Sequence, residues 1–159
     1  MPGIQLHNLQ SADTSLIHLV AEWYFSEWHL PMDATKTMLR AICDDPDQMQ
    51  VVLLAGGSPV ATGAICRHVG LQDRVPRFAG YAPWLARVYT LPEHRRKGYG
   101  EKICRYLQSA CGELGISRLY LFTDTAEQLY TKLGWVVMER LETGGRALAV
   151  MQFGLPARL

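Results

Sequence analysis

At 159 residues with 48% hydrophobic composition, the chain can bury a substantial core, and nothing in its length asks for a second domain. Its 16 basic and 15 acidic residues leave a net charge of +1, which excludes a chain-wide field for nucleic acid or a membrane surface and makes any basic patch local. Cys43, Cys66, Cys104 and Cys111 lack the close pairing of a metal site and are too few for a disulfide scaffold, so reduced, mostly buried thiols are expected.

In chain order the pattern alternates between strand and helix. Ile4 to Leu9 reads as a first strand, followed by a helix over roughly Ser15 to Trp28 with Ser11 or Asp13 available as its cap. Pro31-Met32-Asp33 breaks that helix, and Ala34 to Cys43 reads as a second one, stopped at Asp44-Asp45-Pro46-Asp47. Met49 to Ala55 and Pro59 to Arg67 flank Gly56-Gly57-Ser58, a hairpin signal. A polar connection from His68 to Pro83 follows, long enough to suggest a functional loop. Trp84 to Thr90 reads as a central strand. The next helix, from about Glu101, carries Ile103, Leu107, Ala110 and Leu114 on one face and ends near Gly112 and Gly115. Arg118 to Thr123 is a strand, and Ala126 to Leu133 a short helix closed by Gly134. Trp135 to Leu141 and Ala147 to Phe153 form a closing pair around Gly144-Gly145. No apolar run is long enough to span a bilayer and no signal-peptide pattern opens the chain, so a cytoplasmic location is expected.

The chemistry concentrates in Arg95-Arg96-Lys97-Gly98-Tyr99-Gly100, between the central strand and its following helix. Two glycines one residue apart allow a tight turn whose N–H groups approach a ligand, and the helix adds a positive dipole end. Three cations surround a place suited to phosphate; an ordinary glycine turn with a solvated basic face is the plainer reading. The longer stretch Val88 to Gly100 resembles the acetyl-CoA-binding motif of the GNAT acetyltransferase superfamily, a strand followed by Arg/Gln-x-x-Gly-x-Gly/Ala and a helix, with Arg95, Gly98 and Gly100 at the matching positions. Ala126-Glu127-Gln128-Leu129-Tyr130-Thr131-Lys132-Leu133-Gly134-Trp135 is similar to the superfamily's second signature, Ala-x-x-x-Tyr-x-x-x-Gly-Phe/Trp, in the right order and at about the right distance.

That resemblance implies an α/β (α+β) fold with a mixed, mostly antiparallel sheet splayed in the middle, residues 1–159 forming a single N-acetyltransferase domain. It implies acetyl-CoA as acyl donor, its pyrophosphate on the backbone from Arg96 to Glu101 with Arg95, Arg96 and Lys97 around it, and its arm along Val88, Tyr89 and Thr90. Tyr99 falls within the same turn. Tyr130 matches the tyrosine that protonates the departing thiolate, and a phenol with a pKa of about 10 keeps its proton at neutral pH. Many relatives place an asparagine where this chain has Thr123, which either contacts the cofactor arm or caps the next helix, a role shared with Asp124 and Thr125. A glutamate that some relatives carry on the central strand is absent from Trp84-Leu85-Ala86-Arg87, leaving Glu22, Glu27, His29, Asp124 and Tyr89 as candidate bases. Glu22, Trp23, Trp84 and Asp124 are the candidate acceptor-binding residues, with core packing as the competing role of the aromatics. The expected acceptor is a small-molecule amine or a protein N-terminus, with no metal, nucleic acid or membrane involved and a homodimer left open. A non-catalytic CoA or acyl-CoA sensor on the same fold is the alternative, against which the presence of Tyr130 argues.

Overall fold

The computed structural model describes residues 3–155. Its elements run β1 (Ile4–Asn8), α1 (Thr14–Trp28), α2 (Met32–Cys43), β2 (Met49–Ala55), β3 (Ser58–Cys66), α3 (Gly70–Arg74), β4 (Trp84–Thr90), α4 (Tyr99–Glu113), β5 (Arg118–Thr123), α5 (Glu127–Lys132), β6 (Val136–Thr143) and β7 (Arg146–Gly154). The strands form one seven-stranded, mostly antiparallel open sheet in the order β1-β2-β3-β4-β5-β7-β6, flanked by helices. Two compact units are distinguishable: one runs to Ala64 and resumes over Arg87–Ile103, and the other takes Ile65–Ala86 and the chain from Cys104 onward.

In the first unit β1 pairs antiparallel with β2, from Ile4 opposite Ala55 to Asn8 opposite Val51. Gly56 and Gly57 turn β2 into β3 with φ of 60° and 85°, a two-residue hairpin that only left-handed residues close without splaying the strands. Ile17, Val20, Ala21 and Tyr24, spaced three, one and three, are the buried stripe of α1; they pack with Leu39, Val52 and Tyr89. The expected side-chain cap on α1 is absent. Asp13 instead accepts the Gln10 N–H at 2.9 Å and pairs with His7 Nε2 at 2.8 Å, and these bonds hold its carboxyl below the usual range. The second helix starts two residues earlier than expected because Pro31 stands before its first turn, with φ of −59° already set for it.

In the second unit β5 and β7 pair antiparallel from Arg118–Gly154 to Thr123–Ala149, and β6 and β7 close through Gly144 and Gly145 with a bulge between Val137 and Glu139. Strand β4 pairs in parallel with β5 at Trp84 and Tyr120, where the Tyr120 N–H donates to Pro83 O at 3.1 Å. The buried face of α4 is Ile103, Cys104, Leu107, Gln108 and Cys111; Leu114, expected on it, is 49% exposed. Leu114 lies one residue past the end of α4, and the face instead takes in Gln108, whose Oε1 accepts the buried Trp135 indole N–H at 2.9 Å.

The connection from His68 to Pro83 is not an open loop. It contains α3 and a 3₁₀ turn at Pro76–Phe78, and it buries Leu71 and Phe78. Gln72, itself buried, accepts the Val69 N–H at 2.9 Å and donates to Phe78 O at 3.1 Å and Tyr81 O at 3.0 Å. One amide thus adds to the segment's own turn bonds by tying Val69 to Phe78 and Tyr81. Gln72→Leu should therefore lower unfolding free energy by about 1–3 kcal/mol, read from a urea midpoint, because it strands buried backbone groups. A Leu variant as stable as the parent would show that the segment is held by its apolar side chains alone.

Candidate active site

The first unit carries the glycine turn. After β4 a 3₁₀ turn at Pro92–His94 leads to Arg95 in extended conformation, then to Arg96 and Gly98 with φ of 64° and 80°, and α4 begins at Tyr99. The Lys102 N–H to Gly98 O bond at 3.1 Å lies at the head of a 15-residue helix, whose N-terminus is the positive end of its dipole. A Cβ on Gly100 would lie 3.9 Å from Thr90 Oγ1 and from Val88 Cγ1, so a small residue lets the helix head sit close on β4. At Gly98 no atom lies within 4 Å of the position a Cβ would take. Arg96 and Lys97 are exposed beside the turn. A left-handed pair, a helix N-terminus and two mobile cations together fit a phosphate-bearing ligand.

Arg95 plays another part. Its Nε donates to Thr90 O at 2.9 Å, its guanidinium lies 5.6 Å from the Tyr89 ring centre, and Nη2 is 3.8 Å from Glu27 Oε2. It ties the turn to β4 and α1. Tyr89 itself is buried against Trp23 and Trp28, with ring centres at 5.9 and 6.1 Å. Burial first, then the charge of Glu27, raises its pKa above the ordinary tyrosine value. Trp23 belongs to the core, whereas Phe25 and Trp28 are 51% and 39% exposed at the end of α1. Glu22 is exposed and pairs with His18 at 3.1 Å. His29 ends α1 in the left-handed conformation, edge-on to Phe25 at 6.3 Å, and no ion pair involves it among the described residues.

One feature of β4 had no signal in the sequence. Arg87 has φ of 53°, a left-handed residue inside a strand, and the Tyr24 hydroxyl donates to its carbonyl at 2.7 Å. A non-glycine residue there costs about 1–2 kcal/mol and persists only where its surroundings hold it. The letter pattern of Trp84 to Thr90 reads as regular strand because the kink sits on an arginine.

In the second unit Tyr130 is 9% exposed on α5, its ring 6.2 Å from Trp135 in an edge arrangement. Burial, followed by the neighbouring Cys104 thiol, lifts its pKa well above that of a free phenol. Trp84, placed by the sequence in an acceptor slot, is wholly buried, flanked by Tyr120 and Phe122, with its indole N–H donated to Tyr81 O. Core packing is its role. Thr123 Oγ1 accepts the Ala126 N–H at 3.0 Å, so the turn before α5 is closed by Thr123 rather than by Asp124 or Thr125. Asp124 instead accepts from Arg146 Nε at 3.0 Å. Arg140 meets Glu127 through two parallel bonds of 2.6 and 2.7 Å, which hold the Glu127 carboxyl below its usual range. Asp124, Glu127 and Arg140 line a cleft of about 340 Å³ together with Glu142 and Leu148.

The cysteines are in thiol form with Cys66, Cys104 and Cys111 buried, and burial pushes Cys43 up to about 11 and Cys111 up to about 12. Among the described residues no three His, Cys, Asp or Glu side chains gather as a metal-binding group, and no helix is long and apolar enough to cross a membrane.

Solved structures share this fold. An aminoglycoside 6'-N-acetyltransferase complexed with coenzyme A superposes with a TM-score of 0.75 at 13% identity, covering 98% of this chain and 99% of that one. The PaiA N-acetyltransferase from Thermoplasma acidophilum in complex with coenzyme A gives 0.66 at 16% identity, over 96% and 99%. A spermidine N-acetyltransferase SpeG chimera from Vibrio cholerae and hSSAT gives 0.68 at 16% identity, over 95% of each chain. No curated protein matches by sequence. The sequence profile of the acetyltransferase (GNAT) family matches residues 14–135, spanning both signatures and both units, and the chain belongs to that family.

Proposed function

We propose that the chain moves an acetyl group from acetyl-CoA to a primary amine by direct attack in a ternary complex, residues 1–159 acting as one domain. The observation that carries this reading is the helix head at Gly98 to Glu101, left-handed at Arg96 and Gly98 and seated on β4 through Gly100. Coenzyme A in two structural neighbours supports the donor, and the aminoglycoside and spermidine enzymes support an amine acceptor. The family match across both units supports a single domain.

In this reading the donor supplies an activated acyl group and a pyrophosphate anchor. The backbone of Arg96 to Glu101 holds the pyrophosphate, with Arg96 and Lys97 adding charge and Arg95 bracing the turn. Val88, Tyr89 and Thr90 contribute backbone groups along the arm, and the Val88 N–H polarises the acyl carbonyl. Thr123 contributes its hydroxyl at the end of β5. Tyr130 holds a proton and delivers it to the leaving sulfur. On the acceptor side, Glu22 and Asp124 carry charge for an ammonium, and the exposed rings of Phe25 and Trp28 supply the apolar surface that the buried Trp23 and Trp84 do not. Small-molecule amines and a protein N-terminus both fit that chemistry.

Gly98→Val meets open space, so the fold should survive while the turn, which needs φ of 80°, distorts. Affinity for coenzyme A should fall at least about tenfold, on the order of 1.4 kcal/mol, by calorimetry. Neutralising Arg96 and Lys97 together should flatten the salt dependence of that affinity, whereas Arg95→Gln should act chiefly through turn stability. Equal salt slopes in parent and double variant would leave the charges as a solvated face.

Tyr130→Phe should lower single-turnover rate by roughly 10² to 10⁴ with acetyl-CoA affinity nearly unchanged. The sign of the pKa shift adds a second readout. Because burial raises the pKa, Tyr130 keeps its proton through pH 10, where a free tyrosine is half ionised. The rate should therefore show no alkaline fall from this group below about pH 10. Loss of binding and turnover in equal measure in the Phe variant would make Tyr130 structural, and tight acetyl-CoA binding with no amine-dependent thiol release would favour the sensor.

A further inference from the structure

A buried polar relay stands behind the kink in β4. Tyr24, Gln50 and Thr62 are 0%, 1% and 0% exposed. The Tyr24 hydroxyl donates to Arg87 O at 2.7 Å and the Thr62 hydroxyl to Val51 O at 2.8 Å. Both hydroxyl protons are committed, so each oxygen accepts, and Gln50 Nε2 supplies both bonds at 3.0 and 2.8 Å. The amide orientation is thereby fixed. Its Oε1 is left buried without a hydrogen-bond partner among the described residues. Burying an unsatisfied acceptor is unfavourable, and three polar side chains in a core that Ile17, Val20 and Leu39 otherwise fill need a reason beyond packing.

The reason lies in the peptide that the relay grips. In a trans peptide the carbonyl of one residue and the N–H of the next point in opposite directions. Drawing the Arg87 carbonyl onto Tyr24 therefore sets the direction of the Val88 N–H. Left-handed Arg87 would relax toward regular strand if released, turning that N–H through a large angle.

We propose that Tyr24, backed by Gln50 and Thr62, is a positioning residue that aims the Val88 N–H at the acyl carbonyl of the donor. This rests on the acetyl-CoA reading above. Tyr24 touches no reacting atom; it acts through the backbone of β4. Thr62, on β3, acts one step further back by orienting the Gln50 amide.

The test follows the Val88 amide by ¹⁵N–¹H spectroscopy in the full chain, with coenzyme A and acetyl-CoA added separately. In the parent, acetyl-CoA should move the Val88 amide signal to lower field relative to coenzyme A, since only the thioester offers a carbonyl. In Tyr24→Phe, which keeps the ring and loses the donated proton, that difference should collapse. The single-turnover rate should fall about 10- to 100-fold, with coenzyme A affinity within about twofold of the parent. Thr62→Val should show the same signature more weakly, and Thr62→Ser, which restores the hydroxyl, should recover it; this pair decides the matter if Tyr24→Phe does not fold. A Val88 difference that survives in Tyr24→Phe, or a Ser variant as impaired as the Val variant, overturns the positioning role. A parent that binds both ligands without any Val88 difference overturns it too while leaving the acetyl-CoA reading standing. Failure of the parent to bind either ligand removes both.

Discussion

The geometry of β4 depends on one hydrogen bond, from the Tyr24 hydroxyl to the Arg87 carbonyl. A strand residue at φ of 53° is disfavoured by itself, and here α1 presents a hydroxyl to its carbonyl with the Gln50 amide behind that hydroxyl. Beyond the kink, Val88 and Thr90 turn their side chains toward the head of α4, and Gly100 admits the helix at ordinary contact distance. Tyr89 faces the opposite way, into Trp23 and Trp28. The same short stretch thus serves a core on one face and a helix N-terminus on the other. A change in its twist would disturb both.

Arg95 shows how a residue in a binding motif can be spent on structure. Its guanidinium caps the end of β4, covers Tyr89 and approaches Glu27, which fixes where the turn leaves the strand. Stacking and a charge-assisted bond at once are what a planar guanidinium offers and a lysine does not. The two cations after it make no such commitment to the core, so the division of labour within Arg95-Arg96-Lys97 follows from where the chain turns left-handed, at Arg96.

The elements that were legible in the sequence are those whose signals are local. The glycine turns at Gly56-Gly57, Gly98 and Gly144-Gly145 occur where left-handed backbone is required, and β5 falls over Arg118–Thr123 as its apolar alternation indicates. What escaped depends on partners far along the chain. Gln108 sits on a buried helix face with Trp135, 27 residues on, as its partner, and Gln72 ties together carbonyls of the His68–Pro83 segment. Thr123 was legible as a candidate cap but not as the one chosen, since the choice turned on Asp124 finding Arg146 across a hairpin. Arg87 left no trace, because its partner lies 63 residues away and arginine carries no conformational signature.

Exposed carboxylates in each unit are held by pairing, some of it local and some distant in sequence. Glu22 meets His18, Glu27 approaches Arg95, Asp124 meets Arg146 and Glu127 is gripped by Arg140 at both oxygens. Each of these four carboxylates faces a partner that is, or on protonation becomes, a cation. Such pairing fixes the acids in place while cancelling much of their long-range pull, and exposed pairs of this kind are screened further by salt. The long-range field around such pairs is weak, so their charge says little about what approaches them. Small-molecule recognition is set by shape and desolvation, which neither net charge nor motif spacing encodes, and this is why the glycine turn was legible in the sequence while no comparable signal marks a second ligand.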